Sequence, residues 1–394
     1  MKDNRRSLRL AILRAFAALP FPRPSPESTG KPARILLIRP DHIGDLLFAT
    51  PAWRVLRRTC PDAHLAAMVG PWGKAVVKNN PHLDEIIICE FPAFSRQPKA
   101  SFLAPYRLLR QSAAQLRAQR FDLALVLRFD HWWGALLARL AGIPQRLGHD
   151  IPECRPFLTE ALPYNSRRHE VQQNLVLIAA ALHSMGRPVP ENLLSSDLAQ
   201  QHPLEWAINL QDSDYVAGYL AERGVGPGEQ PIAIHPGAGA PVKQWLPEAW
   251  AQVADTLAAS YRARVVITGS ANELDLAWSV SARMGSDAIV AAGDTSLTQL
   301  AALFARCRLV LGPDCGPLHL AVAVGTPTVH LYGPVDAAKF GPWGAPEKHL
   351  VVTSGRACIP CNRLDYSREE LAEHPCVREI STQSVLEAAR KLLG

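Results

Sequence analysis

The 394-residue chain has no apolar stretch approaching the about 18 uninterrupted residues of a membrane-spanning helix, so no segment reads as a span. It has no low-complexity run, and its 48% hydrophobic and 20% charged residues are those of a folded globular protein. Its eight cysteines (60, 89, 154, 307, 315, 358, 361 and 376) are too scattered for a disulfide framework. No strand candidate is followed by G-x-G-x-x-G, which disfavours a dinucleotide-dependent oxidoreductase. No Ser/His/Asp arrangement is identifiable, and no glycine-rich turn has the G-x4-G-K-[ST] spacing of a P-loop. The body also lacks an excess of charge. Residues 1–34 carry eight basic side chains against Asp3 and Glu27, which accounts for the whole net charge of +6. A neutral body with a basic tail argues against general nucleic-acid binding, which calls for a basic face on the fold itself.

The tail, residues 1–33, also carries Leu8, Leu10, Ile12, Leu13, Phe16 and Leu19 before FPRPSP ends any helix. It reads equally as a helix lying on an anionic membrane surface or as an unstructured leader. Arg14 interrupts its apolar region and no small-residue cleavage site follows, which argues against a signal peptide.

From Arg34 the chain alternates short apolar runs with helical segments. Strand candidates are Arg34–Arg39, Leu65–Val69, Glu85–Cys89 and Asp122–Leu127, with helices at Leu46–Arg58, Tyr106–Arg120 and Trp132–Ala141. Thr50-Pro51 implies a kink or a fresh start in the first of these helices. After a helical, polar stretch, Gly224–Glu229 reads as a linker. A second series follows at Pro231–His235, Ala263–Thr268, Ala288–Ala292, Arg308–Gly312 and Thr326–Leu331, and Thr382–Leu393 reads as a closing helix. The expected fold is α/β: two doubly wound domains, 34–223 and 224–394, with the ligand crevice at the carboxyl ends of their parallel strands.

Three strand-to-helix loops carry the chemistry. Arg308–Pro327 reads as a buried strand that breaks at Gly312-Pro313 and enters a small-residue helix through Asp314-Cys315-Gly316-Pro317. Free amides and a positive dipole end there suit a phosphate. Asp314 fits better as a cap, or as an acceptor for sugar hydroxyls or a turn amide, so the pattern suggests a nucleotide-linked ligand. The second loop, His235-Pro-Gly-Ala-Gly-Ala-Pro-Val-Lys243, offers a glycine-rich turn and a lysine able to neutralise a diphosphate. In the third, Arg39–Asp45, the Asp45 carboxylate either activates a hydroxyl or caps the helix it opens. Glu273 follows a strand and reads as a ribose acceptor or a plain first-turn carboxylate. Asp212-Ser-Asp214 reads as capping, and Trp132-Trp133 as core or as a rim for a sugar or lipid. Cys358, Cys361, His374 and Cys376 read as a loop of reduced thiols rather than a zinc clip: His374 and Cys376 are too close for a second ligand pair, and Pro360 and Pro375 imply a loop.

RPDHIGDLLFATPAWRVLR, HPGAGAPVKQWLPEAW and GPDCGPLHLAVAVGTPTVHLYGP, in this order, together resemble glycosyltransferase family 9, the ADP-heptose:lipopolysaccharide heptosyltransferases. The resemblance runs over about residues 34–390 and includes FDLALVLRFDHWWGALLARLAGIPQRLG. It implies a GT-B fold, two Rossmann-like domains facing across a cleft, with the acceptor in the first and the donor in the second. It implies an inverting transfer of heptose from ADP-heptose to lipid-A-linked inner core, with Asp45 as base and no metal or other cofactor. It implies donor contacts from Gly237, Ala238, Lys243, Glu273, Asp314, Cys315, Gly316 and His319, and acceptor contacts from Arg39, His42 and Gly44. The expected setting is the cytoplasmic face of the inner membrane, with the protein peripheral to it. Three departures stand out: Cys315 where the family usually has Ser or Thr, one cysteine fewer in the C-terminal loop, and a 33-residue basic leader longer than the family pattern needs. A different donor or acceptor sugar, a nucleotide-sugar-binding protein without turnover, and a same-fold epimerase are the alternatives; the paired presence of Asp45 and Lys243 argues against a lapsed enzyme.

Overall fold

The computed structural model describes residues 10–11, 13–15, 32–95, 103–195, 197–367 and 369–394. The chain divides into two compact units, Met1–Ser195 and Ser196–Gly394. The first contains β1 (Arg34–Arg39), β2 (His64–Val69), β3 (Glu85–Ile88), β4 (Leu123–Val126), β5 (Gln145–His149) and β6 (Glu160–Leu162). They form one parallel sheet in the order β3-β2-β1-β4-β5-β6. The second contains β7 (Ile232–Ile234), β8 (Val265–Ile267), β9 (Ala288–Val290), β10 (Leu309–Pro313), β11 (Thr328–Leu331) and β12 (His349–Val352), again all parallel, in the order β12-β11-β10-β7-β8-β9. Counted from the first strand of each unit, the two sheets have the same order.

The central strands are nearly continuous apolar runs, as parallel strands covered by helices on both faces must be. Ile35 to Ile38, Leu65 to Val69 and Leu309 to Leu311 are all buried. Each unit closes its own apolar cluster. In the first it gathers Leu36, Ile38, Phe91, Leu109, Leu116, Trp133 and Phe157. In the second it gathers Ile234, Trp245, Trp250, Leu311, Val329 and, from the closing helix Thr382–Leu393, Val385 and Ala389. Trp133 is therefore core, with Trp132 packed against it.

Several expectations shift in detail. The segment after β1 is two helices, Ile43–Leu47 and Thr50–Thr59, with Pro51 in the first turn of the second, where its missing N–H costs nothing. The joint between the units falls at Ser195–Ser196, not at the Gly224 linker. Helix Leu210–Ala221 accordingly belongs to the second unit, where the Tyr219 hydroxyl donates to Asp294 Oδ2 at 2.8 Å. That helix is capped by Asn209, which accepts from the Asp212 N–H at 2.7 Å, so Asp212 lies in its first turn and Asp214 beyond it, and neither caps it. Of the leader, Leu13 is buried in the first unit's cluster and Leu10 is half-buried, while Leu8, Ile12, Phe16 and Leu19 lie outside the described residues. No helix among the described residues is long and apolar enough to cross a membrane.

One close approach fixes the geometry of the second unit. A Cβ on Gly312, in β10, would stand 2.4 Å from Leu318 Cδ2 and 2.7 Å from the His235 carbonyl. Leu318 can yield but the backbone carbonyl cannot. Gly312→Ala is expected to destabilise the second unit by about 1–3 kcal/mol, the range for overpacking a tight site. The check is its urea midpoint; an unshifted midpoint would show that β7 and β10 can part at no cost.

Candidate active site

In an open parallel sheet, ligands bind beyond the carboxyl ends of the strands where the strand order reverses. That point lies between β1 and β4 in the first unit and between β7 and β10 in the second. The residues singled out by sequence lie in these loops or at their margins.

Arg39 ends β1, and it is 2% exposed. Its guanidinium lies 2.7 Å from Asp41 Oδ2 through Nε. Nη1 donates to the Leu127 carbonyl at 3.0 Å and to Asn174 Oδ1 at 3.4 Å. Nη2 donates to Asp45 Oδ1 and Glu170 Oε2, each at 3.4 Å. Arg39, expected to contact the acceptor, meets these partners inside the first unit. Arg128, just beyond β4, grips Asp41 from the other side and pairs with Asp130 at 2.6 Å. Burial works against the Asp41 charge, but Arg39 and Arg128 outweigh it and hold Asp41 below the ordinary carboxylate range.

Asp45 does not cap its helix, where His42 is the N-cap and no side chain closes the end. Its carboxyl is 32% exposed, whereas those of Asp41 and Glu170 beside Arg39 are buried. Burial of its surroundings and the charges of Asp41 and Glu170 push Asp45 up to about 7, against the opposing pull of Arg39 and Arg128. A carboxyl poised there can exchange a proton near neutrality. Aromatic and histidine side chains ring the cluster. His42 stands 5.4 Å from Trp72, and Phe129 stacks on Tyr164 at 4.4 Å, whose hydroxyl donates to Glu170 Oε1 at 3.4 Å. Burial drives His131 down to about 3, so it is neutral at physiological pH. Gly44 lies in the first turn, its carbonyl accepting from the Phe48 N–H.

In the second unit Lys243 is not a solvated surface lysine: it is 13% exposed and donates to Asp314 Oδ2 at 2.9 Å. His319 Nε2 lies 3.9 Å from the other oxygen, Oδ1. Burial again opposes the charge, and hydrogen bonding to His319 with the proximity of Lys243 drives the Asp314 pKa well down. Asp314 therefore orients Lys243 rather than capping a helix. The helix Gly316–Ala323 has Cys315 at its N-cap, Pro317 in its first turn and no side-chain cap, so its amide end is open. The Cys315 thiol is buried and pushed up to about 12, chiefly by burial, which leaves it uncharged. His319 is buried and turned to Asp314, which places it behind the loop.

The glycine-rich loop and Glu273 come together. A Cβ on Gly237 would lie 2.0 Å from Glu273 Oε1, so any other residue there must displace that carboxylate. Glu273 Oε2 accepts from the Ser270 N–H and hydroxyl, both at 2.8 Å, which is a first-turn capping box. His235, the residue after β7, hydrogen-bonds Thr268 Oγ1 at 3.0 Å and is buried. Ala238 stands half-buried in the same loop. Cys358 and Cys361 are exposed and Cys376 is buried, and no three His, Cys, Asp or Glu among the described residues are grouped to hold a metal.

Sequence reasoning missed Asp41, Arg128, Glu170 and Asn174. Arg128 carried a signal, a charge set directly after the apolar run Leu123 to Leu127. Glu170 and Asn174 carried none, because their partner Arg39 is 131 and 135 residues away.

Residues 109–371 match glycosyltransferase family 9 (heptosyltransferase). The chain is 27% identical over 375 residues to lipopolysaccharide heptosyltransferase 2 of Escherichia coli K12, covering 91% of this chain and 98% of that protein. It is 25% identical to lipopolysaccharide heptosyltransferase 1 of Pseudomonas aeruginosa, over 83% of this chain and 86% of that one. A family 9 glycosyl transferase from Veillonella parvula superposes with a TM-score of 0.75 at 24% identity, covering 93% of this chain and 98% of that one. The E. coli ADP-heptose lipopolysaccharide heptosyltransferase II does so with 0.69 at 24%, covering 91% and 98%. The fold they share with it is the expected GT-B fold.

The Asp45 pKa has a consequence for stability. In the unfolded chain the group titrates near about 3.9, and in the folded protein at about 7. The folded state thus binds this proton more tightly. Its contribution is fully present below the unfolded value and is lost as pH rises through about 7. Asp45→Asn cannot ionise, so its melting temperature should gain on wild type between about pH 4 and pH 8. A flat difference, or one of opposite slope, would mean that Asp45 titrates as an ordinary carboxylate.

Proposed function

We propose that this chain, which belongs to glycosyltransferase family 9 and is a glycosyltransferase, moves heptose from ADP-heptose to lipid-A-linked inner-core lipopolysaccharide with inversion at the anomeric carbon. The observation that carries the proposal is Asp45: a partly exposed carboxyl, pushed up to about 7, at the switch point of the first unit. The names of the curated relatives support the heptose and the lipopolysaccharide, and the name of the E. coli heptosyltransferase II structure supports the ADP.

In this reading Asp45 accepts the proton of the acceptor hydroxyl as that oxygen bonds to the anomeric carbon. The carbon gains oxocarbenium character while ADP departs from the opposite face, and the electron pair of the broken bond goes to the diphosphate oxygen. Lys243 has three donor hydrogens, and Asp314 takes one, which leaves two for the diphosphate. The open amide end of Gly316–Ala323 adds its dipole. Gly237 and Ala238 let the backbone approach the donor, and Glu273 accepts from ribose hydroxyls. Cys315 contributes its backbone amide. His319 acts through Asp314 and Arg39 through Asp45, while His42 and Gly44 line the acceptor side. The positive field is supplied by lysine, amides and dipole, so the reading assigns no metal. A lipid-linked acceptor and a basic leader support a peripheral position on the cytoplasmic face of the inner membrane.

The direct test is ADP release from ADP-heptose with and without a lipid A acceptor lacking heptose. Release that depends on the acceptor is the expected result; donor binding without release would point to another acceptor sugar or to a binding protein. Asp45→Asn should lower transfer at least about 100-fold while leaving ADP affinity in place. In wild type, kcat/KM should rise with pH and level off above about 7, because only the ionised Asp45 accepts a proton. Lys243→Ala should weaken ADP binding about tenfold or more by calorimetry, the loss of one charge-assisted contact. Unchanged affinity would remove Lys243 from the donor site.

A further inference from the structure

The helix Ala104–Gln119 of the first unit presents two faces. Leu109, Ser112, Ala113 and Leu116 turn into the core. On the other side Leu103, Tyr106, Arg107, Arg110, Ala114 and Arg117 recur at three- and four-residue spacing, so they form one stripe. All six are exposed, Leu103 by 53% and Tyr106 by 60%. We infer that this stripe docks on a bilayer surface bearing anionic headgroups, an inference that rests on the lipid-linked acceptor proposed above for its choice of a bilayer.

Charge complementarity is the first argument. From Phe91 to Phe121 the sequence contains no Asp or Glu, and it contains Arg96, Lys99, Arg107, Arg110, Arg117 and Arg120. A solvated helix surface ordinarily mixes both signs. This one has a single sign, which the neutral sum over the whole body conceals. The second argument is what accompanies the charge. An exposed leucine and tyrosine at one end of the stripe suit the headgroup boundary, where an apolar body and a polar tip are both accommodated. A nucleic-acid face would have no use for the leucine. The third is continuity with the leader, whose Leu13 is buried in the same apolar cluster as Leu109, Ala113 and Leu116, while Arg14 is exposed. Arg117 is tied back to the Leu140 carbonyl at 2.5 Å, so Arg107 and Arg110 are the residues to change.

The test uses the full chain and vesicles without acceptor. Wild type is expected to sediment with phosphatidylglycerol-containing vesicles, to be released by salt, and to ignore pure phosphatidylcholine. Each arginine near such a surface is worth about fivefold in partition, so R107E/R110E should lose at least about tenfold and the neutral R107Q/R110Q less. Both variants should release ADP from ADP-heptose at the wild-type rate when the acceptor is water-soluble, which separates docking from chemistry. Unchanged partition of R107E/R110E overturns the inference, as does binding of the stripe to duplex DNA with no binding to vesicles. Vesicle binding that depends on Arg107 and Arg110, in a protein that releases no ADP, sustains the docking face and overturns only the transferase reading.

Discussion

A buried guanidinium must have its charge balanced and its donors filled, and in the first unit that requirement falls on Arg39. Removal from water costs an arginine several kcal/mol unless carboxylates and carbonyls replace the solvent. Asp41, Glu170, Asn174 and the Leu127 carbonyl meet the need from three different parts of the chain. The result has an excess of acid, with Asp41, Asp45 and Glu170 around Arg39 and Arg128 committed to Asp41 and Asp130. Burial and the charges of Asp41 and Glu170 act together on Asp45. Asp45 is the member whose proton is held to about 7, and proton exchange there follows from the way the arginine is buried.

The two units share a strand order and place their chemistry at the same topological point, but with the charges exchanged. In the first a buried cation serves carboxylates, and the group left partly exposed is the Asp45 carboxyl. In the second a buried carboxylate, Asp314, serves a cation, and the group left for a ligand is Lys243 beside an open helix end. The transfer proposed above would use the former for the acceptor hydroxyl and the latter for the diphosphate.

The repeated architecture was legible in the sequence because parallel central strands are apolar throughout, as at Ile35 to Ile38 and Leu309 to Leu311. The strands β5, β6 and β12 were not legible, since Gln145–His149 and Glu160–Leu162 carry polar side chains toward one margin of the sheet and His349–Val352 forms the edge of the other. The joint between units was misplaced because Gly224 marks a turn, whereas the Tyr219–Asp294 bond that assigns the helix to the second unit spans 75 residues. Asp45 and Lys243 could be read from their loops. What each is paired with could not: Lys243 meets Asp314 71 residues away, and Glu170 meets Arg39 across 131. Distant pairs set Arg39 against Glu170 and Asp314 against Lys243, which the loops by themselves do not reveal.

The central claim is that the Arg39 cluster holds a proton on Asp45 near neutrality. It is tested most directly by a carbon-13 titration of aspartate-labelled protein, with Asp45 assigned as the carboxyl resonance missing from Asp45→Asn. The account predicts a midpoint at about 7 that falls when Glu170 is replaced by glutamine, because one of the charges raising it is then gone. A midpoint in the ordinary aspartate range near about 4, unmoved by Glu170→Gln, would contradict it.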